Sequence, residues 1–550
     1  ASCGLASTVA SASAQQAAPP RRPRARPPAM ALSVLRSGRR APAGVLRLAP
    51  GRRATASYRE LSRTEGIAGF PHVNARFKQD PPRKLQAPTE DNACGTPSRR
   101  HFDGSTWSEA EVRKAAVDHC MLTWSGSAPL ETMPIIERAE GVYLYDTAGK
   151  KYLDWTSEAV CVNLGHTVPE GVKKAMIDQL ETMPFVYGGI GFAPVRAKLA
   201  SLLAELAPGD LNGFLFPSSG GEANDCAIRL ARLYTGKTKI FNQYRSYHGG
   251  TVGPLSATGD FRRKFGGEHA TGFVKMFNPE PHFFRWGDTD EVACSQALAC
   301  LEEQIVAEGP STIAAIMLES VPGSAGVLIP AVGYMEGVRA LCNKYDILMI
   351  ADEVMTGFGR CGELFAFQHF DGVIPDIFTS AKGLTGSWQP LSLVGMRQPI
   401  KDFFWSNPTG WGSTFQAHPV ALACGYASLK HFVETDVLGH INRSIQPVMI
   451  SELNRLVDKY ACVRQARALG AFGCLDLQDP KTGERPMQVG DPMPPPIANF
   501  KRAFNDEGLI GFVRPPQLHC APPLVITEAE LRDGFARLDR ALAVLEAELK

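Results

Sequence analysis

Two residues that could do chemistry together, Asp352 and Lys382, each follow a short apolar run. Asp352 comes directly after residues 347–351, and Lys382 follows residues 377–378. Thirty positions separate the carboxylate from the amine, which is about the length of one β-α-β unit. Such a unit would bring both groups to the carboxyl edge of a parallel sheet, where open α/β sheets bind their ligands.

The pair Asp352 and Lys382 has two interpretations. A buried Asp and Lys can form an ordinary ion pair. Alternatively, the lysine amine could form a Schiff base with pyridoxal phosphate (PLP), while the carboxylate keeps the pyridine nitrogen protonated and makes the ring an electron sink. These two residues alone leave both interpretations open.

A second candidate is the turn Ser218-Ser219-Gly220-Gly221, between an apolar run at 214–216 and an amphipathic helix from Glu222. A strand, a Ser/Gly turn and a helix N-terminus can form an anion pocket, since backbone N–H groups and the helix dipole favour negative charge. Many ordinary turns between a strand and a helix have the same composition. The turn is therefore either a candidate phosphate site or an ordinary turn between a strand and a helix.

Aromatic and hydroxyl residues supply further candidates. Tyr247 and His248 precede two glycines, so Tyr247 is either a core tyrosine at a turn or a stacking platform for a flat cofactor. Thr414 lies in a Ser/Thr turn before an Ala-rich helix. It is either a phosphate contact or the N-cap of that helix.

Two charged residues complete the set. Glu319 ends the strand pattern of residues 312–319, and Arg514 is isolated among apolar and Pro residues. Arg514 is either a surface charge or a fork for a substrate carboxylate or sulfonate. Strand and helix patterns alternate through this middle region, which predicts a mostly parallel sheet.

Composition limits the function classes. The chain has 550 residues, 44% hydrophobic and 21% charged, with a net charge of +2. Eleven arginines and no acid precede Glu60, so the remainder is mildly acidic, which argues against a nucleic-acid partner. The 13 cysteines form no CxxC pair, so we expect reduced thiols and no metal site. Without an apolar run of about 18 residues, we expect no membrane span.

The amino-terminal segment is expected to lie outside the fold. Residues 1–56 are basic, Ser-containing and acid-free, which is typical of a mitochondrial presequence. A plastid signal or an RNA-binding arm remains an alternative. Residues 57–118 are polar and interrupted by Pro and Gly, so they predict a loosely ordered lead-in segment, with regular structure from about His119. A hairpin is predicted over residues 141–155.

Taken together, these segments resemble one family. From about His119 to Leu545, roughly three quarters of the chain, the sequence is similar to the class III (ω-amino acid:pyruvate type) PLP-dependent aminotransferases of fold-type I. The matching stretches are SGGEANDCAIRLAR, YHGGT, IMLESVPGSAG, IADEVMTGFGRCGELFAF, AKGLTG, STFQAHPVALA and RPPQLHCAPPLVIT.

The resemblance implies an α/β architecture. A large PLP-binding domain at 186–435 would hold a mostly parallel seven-stranded sheet flanked by helices. A smaller α+β domain would combine residues 119–185 with 436–550. The family resemblance also implies a homodimer with active sites at the interface, and we expect the enzyme in the mitochondrial matrix, with the plastid as the alternative.

The resemblance also implies the catalytic roles. Lys382 would form the Schiff base and then move a proton, Asp352 would pair with the pyridine nitrogen, and Tyr247 would stack on the ring. The further cofactor contacts that it implies are Ser219, Gly220 and Gly221 at the phosphate, His248 beside Tyr247, Glu319 over the cofactor, Val354 under the ring, and Thr414 from the neighbouring subunit.

The expected reaction moves an amino group from an ω-amino donor, such as β-alanine or taurine, to an α-keto acid such as pyruvate. Arg514 would bind the substrate carboxylate, and Trp124 and Tyr187 would wall the donor pocket. The alternatives on the same fold are a dialkylglycine-type decarboxylase, a semialdehyde aminomutase and a PLP-binding protein without turnover. The chain departs from the family where Gly221, Met355 and Ser320 replace the usual hydroxyl residue, Gln and Pro.

Overall fold

The strands form three sheets. In this computed structural model, the structure describes residues 106–265, 270–279, 286–488 and 491–550. The strands are β1 (Ile136–Glu140), β2 (Tyr143–Asp146), β3 (Lys151–Asp154), β4 (Leu211–Leu215), β5 (Lys239–Gln243), β6 (Phe273–Met276), β7 (Ile313–Glu319), β8 (Leu348–Glu353), β9 (Ile377–Ser380), β10 (Leu393–Arg397), β11 (Val463–Leu469), β12 (Phe472–Leu477), β13 (Leu509–Ile510), β14 (Val513–Arg514) and β15 (Gln517–Cys520).

Helices connect these strands. The α-helices are α1 (Glu109–His119), α2 (Ser157–Val160), α3 (Glu170–Thr182), α4 (Pro194–Leu206), α5 (Gly220–Thr235), α6 (Val252–Ala257), α7 (Asp290–Glu308), α8 (Tyr334–Tyr345), α9 (Gln398–Ser406), α10 (Pro419–Glu434), α11 (Val437–His440), α12 (Gln446–Lys459), α13 (Pro495–Asp506) and α14 (Glu528–Leu549). None of the helices within the described ranges is long and apolar enough to cross a membrane.

The central sheet has seven strands in the order β4-β10-β9-β8-β7-β5-β6. Strands β9, β8, β7, β5 and β6 run parallel to one another, whereas β10 is antiparallel to both of its neighbours. Every residue of β7 is buried, as expected for a strand covered by helices on both faces. The predicted fold class, a mostly parallel seven-stranded sheet flanked by helices, is confirmed.

Helices on the two faces of this sheet bury separate apolar clusters. Helices α7 and α8 pack with β5 and β7 in one cluster. Helix α5 packs in a second cluster with residues of β5, β7, β8 and β9. Because both faces are covered, only the strand ends are left to present polar groups to a ligand.

Two smaller sheets accompany the central sheet, and the first of them joins segments from the two ends of the described chain. The first has the order β1-β2-β3-β13, and β13 runs parallel to β3 with Leu509 opposite Leu153. The second, β11-β12-β15-β14, is antiparallel throughout. The first sheet therefore joins sequence-distant segments, and their assignment to one small α+β domain stays a prediction. The boundaries near residues 185 and 435 remain a proposal, and the expected presequence lies outside the described residues.

The start of regular structure is earlier than the sequence analysis placed it. Helix α1 occupies residues 109–119, inside the segment that was expected to be a loosely ordered lead-in. A capping box explains its start, because the side chain of Ser108 accepts from the N–H of Glu111 and the carboxylate of Glu111 accepts from the N–H of Ser108. The lead-in prediction is therefore wrong for these residues.

Candidate active site

The register of three neighbouring strands brings polar residues to one level. Glu319 of β7 lies opposite Asp352 of β8, and Asp352 lies opposite Thr379 of β9. Lys382 begins the 3₁₀ turn Lys382–Leu384 just beyond β9. The structure thus brings Asp352 and Lys382 to the carboxyl edge of the sheet, where their spacing in the sequence predicted them.

Asp352 is a buried carboxylate whose oxygens already have protein partners. Its Oδ2 accepts from Nδ2 of Asn224 at 2.8 Å and lies 2.7 Å from Nδ1 of His248. Its Oδ1 accepts from the backbone N–H of Val354 at 3.0 Å. Within the described chain no ion pair joins Asp352 to Lys382, because Asp352 pairs with His248 instead. The simple ion-pair interpretation is therefore wrong.

Asn224 is a site residue that the sequence analysis missed. It lies in the first turns of α5, buried among the apolar residues of that helix. Its Oδ1 accepts from the hydroxyl of Thr379 at 2.7 Å, and its Nδ2 donates both to Asp352 and to the carbonyl of His248. A polar residue at a buried position of an amphipathic helix was the signal that could have found it. Asn224 links three elements around the carboxylate.

Lys382 has a strained backbone and a perturbed amine. Its φ is +33°, in the left-handed region that side chains other than glycine rarely adopt. Burial lowers the pKa of the Lys382 amine from its ordinary value of 10.5, while the charges of Cys161, Asp352 and Glu319 act in the opposite direction. A lowered pKa increases the neutral fraction, which is the form that acts as nucleophile and base.

Glu319, at the end of β7, forms hydrogen bonds that hold the turn containing Tyr247 against the sheet. One carboxylate oxygen accepts from the backbone N–H of Tyr247 at 2.9 Å and the other from that of Gly323 at 2.9 Å. Burial raises the pKa of the Glu319 carboxyl to about 7, the charge of Asp352 adds to this rise, and His248 opposes it. Glu319 is therefore protonated to a larger extent than an exposed glutamate at neutral pH.

The glycine turns approach each other closely at the N-terminus of α5. A methyl group added at Gly249, whose φ is +142°, would lie 2.8 Å from Cα of Gly221. One added at Gly220 would lie 2.7 Å from Cγ1 of Val354. Ser219 is the N-cap, and the first N–H groups of a helix have no intrahelical acceptors. Ser219, Gly220, Gly221 and Gly249 together form what we call the glycine cradle. It combines backbone N–H donors with the dipole of α5, as an anion site requires.

One aromatic and one basic side chain pack against the ring of Tyr247. The edge of Trp124 meets its ring with centroids 5.9 Å apart, and the guanidinium carbon of Arg262 lies 3.5 Å from its centroid. Trp124 is thus beside Tyr247, as expected of a pocket wall. Tyr187 is half exposed, and its ring packs next to Gly189, so its role as a pocket wall stays a prediction. Arg262 was missed by the sequence analysis.

Thr414 is exposed in the loop before α10. The N-cap position of that helix is occupied by His418, so the alternative that Thr414 is merely its N-cap is wrong. The neighbouring Ser413 places its hydroxyl 3.4 Å from Oε1 of Glu222 in the first turn of α5. The Thr414 loop therefore lies next to the glycine cradle of its own protomer.

Arg514 is partly buried and not a simple surface charge. Its guanidinium carbon lies 4.2 Å from the ring centroid of Phe512. Burial lowers the pKa of Arg514 to about 10, so it stays cationic at neutral pH. Its charge is close enough to lower the pKa of Lys382 and to oppose the rise in the pKa of Tyr247. An anionic substrate group at Arg514 would thus lie near the reactive amine.

These residues suit a planar cofactor that carries a phosphate. The glycine cradle is built for the anion, Tyr247 supplies an aromatic surface, and Asp352 supplies a buried carboxylate for a ring cation. Nε2 of His248 is buried without a hydrogen-bond partner among the residues that the structure describes. A polar atom of this kind favours a ligand group nearby.

Comparison with known proteins gives consistent results. The family model described as aminotransferase class-III matches residues 126–542. Gamma-aminobutyrate transaminase 1, mitochondrial, of Oryza sativa subsp. indica is 31% identical over 495 residues, which cover 85% of this chain and 93% of that protein.

Solved structures agree with these sequence matches. The taurine:2-oxoglutarate aminotransferase from Bifidobacterium kashiwanohense, in complex with PLP and glutamate, has a TM-score of 0.76 at 36% identity and covers 81% of this chain and 100% of its own. An (S)-enantioselective omega-transaminase from Thermomicrobium roseum has a TM-score of 0.75 at 32% identity and covers 80% and 100%.

Proposed function

We propose that this chain, which belongs to the class III aminotransferases and is a PLP-dependent transaminase, takes its amino group from an ω-amino donor. β-Alanine and taurine are examples of such a donor. The acceptor would be an α-keto acid such as pyruvate. When bound, PLP supplies an aldehyde that captures amines and a ring that withdraws electrons. The observation that supports the proposal most is the meeting of Lys382, the Asp352 network and the glycine cradle at one sheet edge.

In this proposal each residue has a distinct task. The Lys382 amine holds the cofactor and moves a proton at the reacting carbon, and its lowered pKa suits that task. Asp352, fixed by Asn224 and His248, keeps the ring nitrogen protonated. Ser219 and the N-terminus of α5 bind the phosphate. The hydrogen bonds with Asn224 and His248 orient the carboxylate on which a protonated ring nitrogen would be held.

The names of the relatives support an ω-amino donor. One acts on gamma-aminobutyrate and one on taurine, and in both molecules the amine lies at the opposite end from the acid group. Arg514 would bind that acid group. Trp124, which lies beside Tyr247, would contact the carbon chain of the donor between its amine and its acid group. The structural neighbour uses 2-oxoglutarate, so the acceptor is to be determined by assay.

The visible absorbance spectrum of the purified holoenzyme tests this function. We expect one ω-amino donor, among β-alanine, taurine, gamma-aminobutyrate, ornithine and alanine added singly, to remove the cofactor band, and a keto acid to restore it. Lys382→Ala should abolish turnover, whereas Lys430→Ala, on the solvent-facing side of α10 beside Glu434, should retain it. A band that no donor changes would contradict the transaminase with these donors and favour a decarboxylase or an aminomutase.

Two further properties belong to this proposal. The enzyme would be a homodimer in which Thr414 reaches the phosphate of the neighbouring subunit. It would act in mitochondria, since the rice relatives are named as mitochondrial. Import into isolated mitochondria, compared with a chain that lacks residues 1–56, tests the location, and equal import of both chains would contradict a presequence there.

A further inference from the structure

Lys275, near the end of β6, connects the central sheet to the end of helix α6. It lies opposite Asn242 in the parallel pair of β5 and β6, and its amino group donates to the side-chain oxygen of Asn242. The same amino group donates to the carbonyls of Ser256, Ala257 and Thr258 at 2.8, 2.7 and 2.9 Å. The last carbonyls of a helix have no donor within it, so Lys275 satisfies the end of α6 from the sheet.

The four acceptors of Lys275 are neutral oxygens. Burial lowers the pKa of its amine from 10.5 to about 7, and the charge of Arg263 acts in the same direction. Withdrawing an amine from water is costly unless hydrogen bonds in the protein replace those of the solvent. Because these oxygens replace them, Lys275 and the end of α6 fix each other in place.

The chain beyond α6 lies against the turn that contains Tyr247 and His248. We call residues 258–260 the support segment. The buried hydroxyl of Thr258 accepts from the backbone N–H of His248 at 3.0 Å. The next two residues of the segment donate their backbone N–H groups to the carbonyl of Ser246 at 3.0 and 3.1 Å. The support segment therefore holds the backbone on both sides of Tyr247.

The support segment also influences the side chains of the candidate active site. Asp260 accepts from Nε of Arg262 at 2.9 Å, and the guanidinium of Arg262 stacks on the Tyr247 ring. His248, whose N–H the segment binds, lies 2.7 Å from Asp352 through Nδ1 of its ring. A displacement of the segment would therefore move both the aromatic surface and a partner of the buried carboxylate.

We propose that Lys275 is a positioning residue for the transaminase reaction. By holding the support segment against the sheet, it sets the orientation of the Tyr247 ring and of the His248 imidazole at the cofactor site. This inference rests on the roles that the proposed function gives to the residues around Asp352, and it adds to them a lysine that acts through the support segment.

Lys275→Met tests the inference, because it keeps an unbranched side chain of similar length and removes the N–H donors. We expect PLP to bind about tenfold more weakly in equilibrium dialysis, since the unpaired carbonyls destabilise the support segment. The visible circular dichroism of the bound cofactor should decrease. The kcat should also fall about tenfold while KM for the keto acid changes by less than about twofold. Thr258→Val, which removes the acceptor of the His248 N–H, should show the same pattern.

Lys239→Met is the matched control. Lys239 begins β5, the neighbour of β6, and its amine donates to the carbonyl of Glu308 at 2.8 Å, at the end of α7. It thus joins a helix end to the same strand pair, but at the amino end of β5, away from the carboxyl edge that carries Asp352. Lys239→Met should leave PLP affinity, cofactor dichroism and kcat unchanged.

A double-mutant cycle separates positioning from a purely structural role. If Lys275 acts through the support segment, the variant with both Lys275→Met and Thr258→Val should bind PLP about as weakly as the weaker single variant, whereas independent effects would multiply. Multiplied effects would overturn the inference. So would a Lys275→Met enzyme that loses thermal stability but keeps wild-type PLP affinity and dichroism, or equal losses in Lys239→Met.

The test does not depend on Lys275→Met folding. If that variant does not fold, wild-type PLP affinity and dichroism in Thr258→Val overturn the inference, and the expected losses support it. Turnover of an ω-amino donor by the wild type and by Lys239→Met shows that the proposed function stands in each of these cases.

Discussion

Glu319 is the residue whose environment makes the clearest prediction about pH. Its pKa is about 7 in the folded protein against an ordinary value of 4.5. Between these two pH values the native state retains a proton that the unfolded chain has released. The free energy of unfolding should therefore fall as pH rises through this window, by about 3 kcal/mol at most, and should lose nothing more from this group above it.

Glu319→Gln should remove that dependence, because an amide does not titrate. The measurement is the free energy of unfolding of the holoenzyme in denaturant at pH values inside and above the window, compared with the wild type. Glu170→Gln, at the exposed start of α3, is the control and should keep the wild-type slope. An unchanged slope in Glu319→Gln would show that another group causes the pH dependence.

Single residues also show where the sequence stops being informative. The place of Asp352 and Lys382 at the sheet edge could be predicted because each follows a short apolar run that indicates a buried strand. Asn224 could have been found as a polar residue at a buried helix position, but its contacts with Asp352 and Thr379 could not be predicted, and neither could the contact of Arg262 with the Tyr247 ring. A hydrogen-bond network of this kind is a property of the packed fold and leaves no spacing pattern in the sequence.

At the scale of elements, two backbone segments of the site approach each other closely, the turn that contains Gly249 and the start of α5. Gly249→Ala would place a methyl group 2.8 Å from Cα of Gly221 and force alanine into a φ of +142°. We expect a loss of stability of about 1–3 kcal/mol and cofactor affinity at least about tenfold weaker. Equilibrium dialysis of PLP and thermal unfolding measure the two effects.

Gly236→Ala is the control at the opposite end of the same helix. Gly236 has a φ of +68°, and a methyl group there would contact nothing within 4 Å. It should cost about 1 kcal/mol of stability through backbone strain alone and leave PLP affinity unchanged. Equal losses of PLP affinity in both variants would mean that the cradle geometry is not what binds the phosphate.

Element boundaries were predictable where local chemistry determined them. The hairpin predicted over residues 141–155 forms as β2 and β3, and the side chain of Asp146 accepts from the N–H groups of Ala148 and Lys150 in its turn. Helix α1 carries an equally local signal in Ser108 and Glu111, which a scan for capping boxes would have detected. The antiparallel placement of β10 had no local signal, since it depends on how the chain crosses the sheet.

At the scale of the whole molecule, the smaller α+β region depends on segments at the two ends of the described chain. Strand β13 pairs with β3 across more than 350 positions, and the buried Arg360 donates to the carbonyls of Ala471 and Pro522 and to the hydroxyl of Ser157. Composition and periodicity do not predict such pairings. The family resemblance implied only that residues 119–185 and 436–550 form one small domain, and it named neither the strand pair nor the contacts of Arg360.

The proposed dimer predicts that two inactive or impaired protomers can complement each other. If Thr414 serves the neighbouring subunit, a hybrid of Lys382→Ala with Thr414→Ala has one site with both defects and one site with neither. Random pairing of equal amounts would then leave about a quarter of the sites intact. Co-expression with two different affinity tags isolates the hybrid, whose mass should be about twice the chain's 59.6 kDa.

If Thr414 acts within its own protomer, next to Glu222, the hybrid should show no activity beyond that of the Thr414→Ala sites. A monomer in sedimentation would contradict the shared site directly.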